Sequence, residues 1–146
     1  MTPGPIQDST LGELEFDEAL ERWSANVEVG LGHAVELYIG GTDDGPSLAL
    51  VSFAEILLKH LGEKEATWRT AAAGQVLDCY NDAWNDGPPL SLETLADRLE
   101  LDSIAVLDRR TAEVAYVPVD EEMFGGHVIL CTIHEDDSVS DVQLAG

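Results

Sequence analysis

The sequence predicts an α+β domain: a mostly antiparallel sheet of about six or seven strands, with about three helices inserted between an N-terminal hairpin and a C-terminal meander. Three observations predict it. Apolar and polar residues alternate with a period of two near both ends of the chain. In the middle, apolar residues recur every three or four positions, the period of a helix. Breaks rich in glycine, proline and acidic residues fall between these runs, where turns are needed.

The elements follow in order. Residues 1–10 hold two prolines, a glycine and small polar residues, and are expected to form a flexible leader to a single domain over residues 11–146. Leu11–Phe16 sets Leu11, Leu14 and Phe16 against Glu13 and Glu15, a strand or strand start. Trp23–Val29 and His33–Ile39 each alternate around Gly30-Leu31-Gly32, the pattern of a β-hairpin. Gly40–Pro46 is a cluster of breakers. Ser47–Leu61 then carries a helical stripe of Leu50, Phe53, Leu57 and Leu61, and Gly62 is expected to stop it. Ala66–Trp84 is expected as a second helix, ended by Gly87-Pro88-Pro89. Ser91 is placed to cap a third, Leu92–Leu99. Ser103–Leu107, Ala112–Val119, His127–Ile133 and Val139–Leu144 return to strands. The expected core includes Trp23, Leu37, Trp68, Tyr80, Trp84, Phe124 and Cys131.

The chain has 146 residues, about one domain, and 45% of them are hydrophobic, enough for one core. Its formal net charge of −22 is spread along its length: 13 acids against 4 bases in residues 1–69, and 16 against 3 in residues 70–146. The folded surface itself must be negative. Such a surface repels nucleic acid and anionic lipid and attracts cationic partners over long range. Solubility, or adaptation to a salty cytoplasm, explains the same charge without a partner.

Cys79 and Cys131 are the only cysteines and stand among apolar neighbours. They are expected to be buried free thiols in a reducing compartment, which points to the cytoplasm. The N-terminus lacks the basic and apolar regions of a signal peptide. No apolar run is long enough to span a membrane.

Candidate sites weigh as follows. His127 and Cys131 share a strand face, but His134 falls on the other, so the three do not converge as a zinc site without a bulge. No metal and no cofactor is expected. Asp78, Asp82 and Asp86 are spaced by four on the second expected helix, either a docking stripe for Lys and Arg or a solvated face. Asp120-Glu121-Glu122 and Glu135-Asp136-Asp137 are acidic turns without the ligand ladder of a calcium loop. No nucleophile motif is present, so no catalytic residue is assigned; His127 with Asp82 or Asp120 is the pair an enzyme reading would need.

Tyr80-Asn81-Asp82-Ala83-Trp84, a short helix to Leu101, the Asp102–Val106 strand, Phe124-Gly125-Gly126-His127-Val128-Ile129 and the closing Asp141–Gly146 together resemble a family of small bacterial proteins, domain of unknown function 2262. The likeness covers roughly residues 65–146, and weakly the Gly12–Tyr38 strands. Two departures stand out: the motif reads Phe-Gly-Gly-His, and Cys131 and Thr132 replace plainer strand residues. The resemblance implies no established activity. Small acidic domains of this style are similar to immunity proteins of bacterial toxin systems, an analogy that does not fix function.

The resulting expectation is a non-catalytic acidic binding domain. Its partner is a basic protein, such as a toxin nuclease, met by Asp78, Asp82, Asp86, Asp120, Glu121 and Glu122, with exposed aromatics among Trp23, Tyr38, Tyr116 and Trp84 as anchors. The alternatives are a housekeeping domain whose charge serves solubility or salt adaptation, and a small hydrolase-like enzyme.

Overall fold

A computed structural model describes residues 3–28, 33–106, 108–120 and 123–145. Nine strands, one long helix and one short helix build the expected α+β fold: β1 (Ile6–Asp8), β2 (Gly12–Asp17), β3 (Arg22–Val27), β4 (Val35–Thr42), β5 (Gly45–Pro46), α1 (Leu48–Cys79), α2 (Leu92–Asp97), β6 (Leu99–Val106), β7 (Thr111–Pro118), β8 (Val128–His134) and β9 (Val139–Ala145). The sheet runs β1-β2-β3-β4-β6-β7-β8-β9, with β5 hydrogen-bonded beside β4. Each neighbouring pair is antiparallel except β4 with β6, which is parallel because the chain crosses over through both helices. The expected N-terminal hairpin is β3–β4, with Trp23 opposite Ile39 and Val27 opposite Val35. Its Gly30–Gly32 turn lies outside the described residues. Ile6–Asp8, in the segment expected as a leader, pairs with Gly12–Leu14 as an edge strand.

The strand periods decide which face is covered. Ala25, Leu37, Ile104, Val114 and Cys131 form one transverse row, in register across five strands, and all are buried. Against this face α1 lays Leu50, Ala54, Leu57, Leu58, Leu61, Trp68, Ala72 and Val76. On the opposite face Ser24, Tyr38, Ala105, Glu113, Thr132 and Ser140 stand in register, each partly or fully exposed. Glu13, Glu15, Asp17 and Glu36 surround a shallow depression on the β2–β4 part of the molecule, where the Arg22 guanidinium lies 3.7 Å from the centre of the Tyr38 ring.

Two expectations about the helices are corrected. Gly62 does not stop a helix: α1 is continuous over 32 residues. A single interior glycine costs about 1 kcal/mol. Burying a side chain such as Leu58, Leu61 or Trp68 on either side of it returns about 2 kcal/mol each, and the flanking Glu63, Lys64, Glu65 and Ala66 are good helix formers. The third helix also ends earlier, at Asp97, because Leu99 opens β6 and is paired with Pro118.

Candidate functional site

The last turn of α1 does not finish as an α-helix. Tyr80–Trp84 is a π-helical turn, closed by the Asn85 amide donating to the Tyr80 carbonyl over 2.9 Å. Wide turns of this kind are uncommon and re-aim the side chains beyond them. Tyr80 is turned into the core, its ring 5.2 Å from that of Phe124. Trp84, expected in the core, instead stands 36% exposed. Four contacts and bonds hold the segment. Trp84 lies edge-on to Phe124 at 6.4 Å and tilted against His127 at 5.6 Å. The Asn81 side chain donates to the Leu90 carbonyl and accepts from the Leu90 amide.

The Phe-Gly-Gly-His segment has the matching construction. Gly125 and Gly126 take positive φ of 60° and 86°, a backbone that glycine adopts without penalty. A Cβ on Gly125 would stand 2.8 Å from Cζ3 of Trp84, so the indole rests directly on bare backbone. His127 bonds through Nδ1 to the Phe124 carbonyl at 2.8 Å and closes the turn on itself. The two motifs are therefore halves of one packing unit: the Trp84 turn fits the glycine turn that Phe124 anchors.

This unit draws together the segments that carry most of the expected partner-binding residues. Asp82 lies within the π-turn and Asp86 just beyond it, while Asp120 precedes the Phe124 turn; all three are exposed, as is Asp78 on α1. Glu121 and Glu122 lie outside the described residues. The straight stripe expected for Asp78, Asp82 and Asp86 does not form. The π-turn breaks the helical register after Asp78, and Asp86 sits in extended chain after Asn85. Of the expected aromatic anchors, Trp23 and Tyr116 are fully buried and cannot serve. Tyr38 is partly buried, holds the Glu36 carboxylate through its hydroxyl and lies under Arg22. Trp84 remains the accessible one.

The other candidates have separate placements. Cys131 is buried in the β8 row, and burial pushes its thiol up to about 12. Cys79, expected to be buried, is exposed instead, because it falls on the outer side of the last α1 turn, beside Asp78. His134 bonds to the Ser140 hydroxyl at 2.6 Å. Among the described residues, no three His, Cys, Asp or Glu side chains are grouped to hold a metal ion. No helix among them is long and apolar enough to cross a membrane.

Sequence reasoning missed Glu65. It points from α1 towards the sheet and is 6% exposed; its carboxylate stands 3.5 Å from Arg69, and its backbone carbonyl accepts from the Tyr116 hydroxyl at 3.4 Å. Burial raises its pKa, against the opposing pull of Arg69. The signal was present: position 65 continues the Leu58–Leu61–Trp68 stripe, which a stop at Gly62 cuts.

A family model described as "Uncharacterized protein conserved in bacteria (DUF2262)" matches residues 8–144. No curated protein and no solved structure matches.

Proposed function

Because the chain belongs to this family of uncharacterised bacterial proteins, DUF2262, its function has to be argued from its own surface, and we propose that it is a protein-binding domain that docks a basic partner around Trp84. The observation that carries this reading is an exposed indole held in place on bare backbone, with Asp82 and Asp86 two residues to either side of it in the chain. Trp84 is 36% exposed, yet it is braced by Gly125, Phe124 and His127. A large aromatic that is already ordered loses little entropy on binding, and such residues dominate interface energies. Asp82 and Asp86 flank it in the chain, Asp120 precedes the Phe124 turn that braces it, and Asp78 lies one helical turn earlier.

Charge supports the same reading. With 29 acids and 7 bases the chain carries a formal net charge of −22. It would speed encounter with a cationic protein and make the rate fall with salt. A basic toxin with this domain as its immunity partner is one case of that chemistry. The test is affinity capture at low salt from the native lysate, with wild type and Trp84→Ala side by side. A basic protein retained by wild type and lost by the variant supports the reading; equal retention by both overturns it.

A further inference from the structure

Three of the chain's seven Lys and Arg residues meet at one groove. The groove has a volume of about 810 Å³ and lies between α1 and the turns that follow β6 and β8. Its floor is apolar: Phe53, Ile56, Leu57 and Trp68 recur at helical spacing along α1. Ile56 is 62% exposed, although it belongs to this apolar run. Its rim is charged, with Lys64, Arg109 and Arg110 against Glu135 and Asp137, beside His60. Lys64 is already paired with Asp137 at 3.3 Å. The Arg109 and Arg110 guanidinium groups make no ion pair or hydrogen bond among the described residues, in a chain with 29 acids to choose from. Trp68 is 1% exposed, and its indole N–H has no partner either.

The groove is polarised. Arg109 and Arg110 also line an adjoining cleft with Asp108 and with Ser47 and Leu50 at the start of α1. Ser47 makes no side-chain cap there and the first turn carries no acid, so the helix dipole adds to the positive end. Trp68 lies 18 residues beyond Leu50, roughly 27 Å at 1.5 Å per residue.

We propose that this groove binds an acyl-chain carboxylate, its carboxylate held by Arg109 and Arg110 and its chain laid along Phe53, Ile56 and Leu57 towards Trp68. The forked guanidinium is suited to a carboxylate, and the volume lies in the range of small-molecule sites. The overall negative charge does not forbid an anion here. With Lys64 and Asp137 paired, Arg109 and Arg110 outnumber Glu135 in the groove lining, and acids further away than the Debye length of about 8 Å at physiological salt are screened.

The probe is sodium decanoate, titrated calorimetrically into the full chain at physiological salt and below micelle formation. Saturable binding of one decanoate per chain is expected. Arg109→Gln with Arg110→Gln should weaken it roughly tenfold or more, and Ile56→Glu should abolish it. Decyltrimethylammonium, with a comparable chain and the opposite charge, should not bind at this site. All three positions are at the surface, so circular dichroism should show both variants folded. Absence of saturable decanoate binding overturns the proposal, as does binding that both variants leave unchanged. Sedimentation velocity supplies the remaining arm: a wild-type dimer that Ile56→Glu dissociates would make the groove's occupant a second copy of the chain and would also overturn it.

Discussion

The Trp84 indole rests on the bare backbone of Gly125, with its Cζ3 atom 2.8 Å from the place a Cβ would occupy. The contact joins the Tyr-Asn-x-x-Trp turn to the Phe-Gly-Gly-His turn. Gly125→Ala therefore meets two penalties at once, a positive φ of 60° and a ring that must move. The expected loss is about 2–4 kcal/mol. Gly126→Ala, also at positive φ but with nothing within 4 Å, should lose only about 1 kcal/mol. Urea unfolding of both variants measures the difference. Equal losses would mean that the indole contact contributes nothing.

Gly62 provides a test of the long helix. It is exposed in the interior of α1, and a Cβ there meets nothing within 4 Å. Gly62→Ala should raise stability by about 0.5–1 kcal/mol. If Gly62 instead ended a helix in a left-handed conformation, the same change would lower stability. The sign of the shift in the urea midpoint distinguishes one helix from two.

The two cysteines should differ sharply in reactivity. Cys79 is exposed; Cys131 is buried, with its thiol raised to about 12. A thiol reagent such as an aromatic disulfide should label native protein once, at Cys79, and label Cys131 only on unfolding. Two fast equivalents in native protein would contradict the packing of β8 beneath α1.

Glu65 sets an expected pH dependence. Burial raises its pKa above the ordinary carboxyl value of 4.5 in the folded state. The folded chain therefore holds this proton more tightly than the unfolded chain does. This group's contribution to stability is most favourable below pH 4.5 and falls as pH rises through the raised value. Glu65→Gln removes that fall, so its stability should decline less than that of wild type between pH 4.5 and 7. Parallel curves from urea unfolding across that window would show that Glu65 is solvated.

Much of the fold was legible from local patterns. The strands expected at Trp23–Val29, His33–Ile39 and His127–Ile133 reappear as β3, β4 and β8 with ends shifted by one to three residues, because a half-buried strand must alternate. The helix boundaries were less legible. Gly62 is a stop signal only where nothing is gained by continuing, and the gain lay in contacts between Trp68 and the distant sheet. The parallel β4–β6 pairing is likewise set by strands some sixty residues apart. For the candidate site, the sequence pointed to Asp78, Asp82 and Asp86 as one stripe, a geometry that the π-turn at Tyr80–Trp84 does not keep. Four-residue spacing of Asp78, Asp82 and Asp86 implies a stripe only in an unbroken α-helix, and no residue pattern marked the π-turn. The same turn moves Trp84 from the core to the surface. Cys79 looked apolar in context because the outer side of α1 there is short of charge until Asp78.

On the proposed function, Trp84 anchors a basic partner, and Asp82, Asp86 and Asp120 steer it. The most direct measurement is association and dissociation kinetics of the captured partner at two salt concentrations, for wild type, Trp84→Ala, and the triple change Asp82→Asn, Asp86→Asn and Asp120→Asn. Trp84→Ala should speed dissociation by roughly thirtyfold or more, the rate equivalent of about 2 kcal/mol. The triple change should mainly slow association and flatten its salt dependence. If both variants bind the partner with wild-type kinetics at both salt concentrations, Trp84 and its carboxylates are not the docking site.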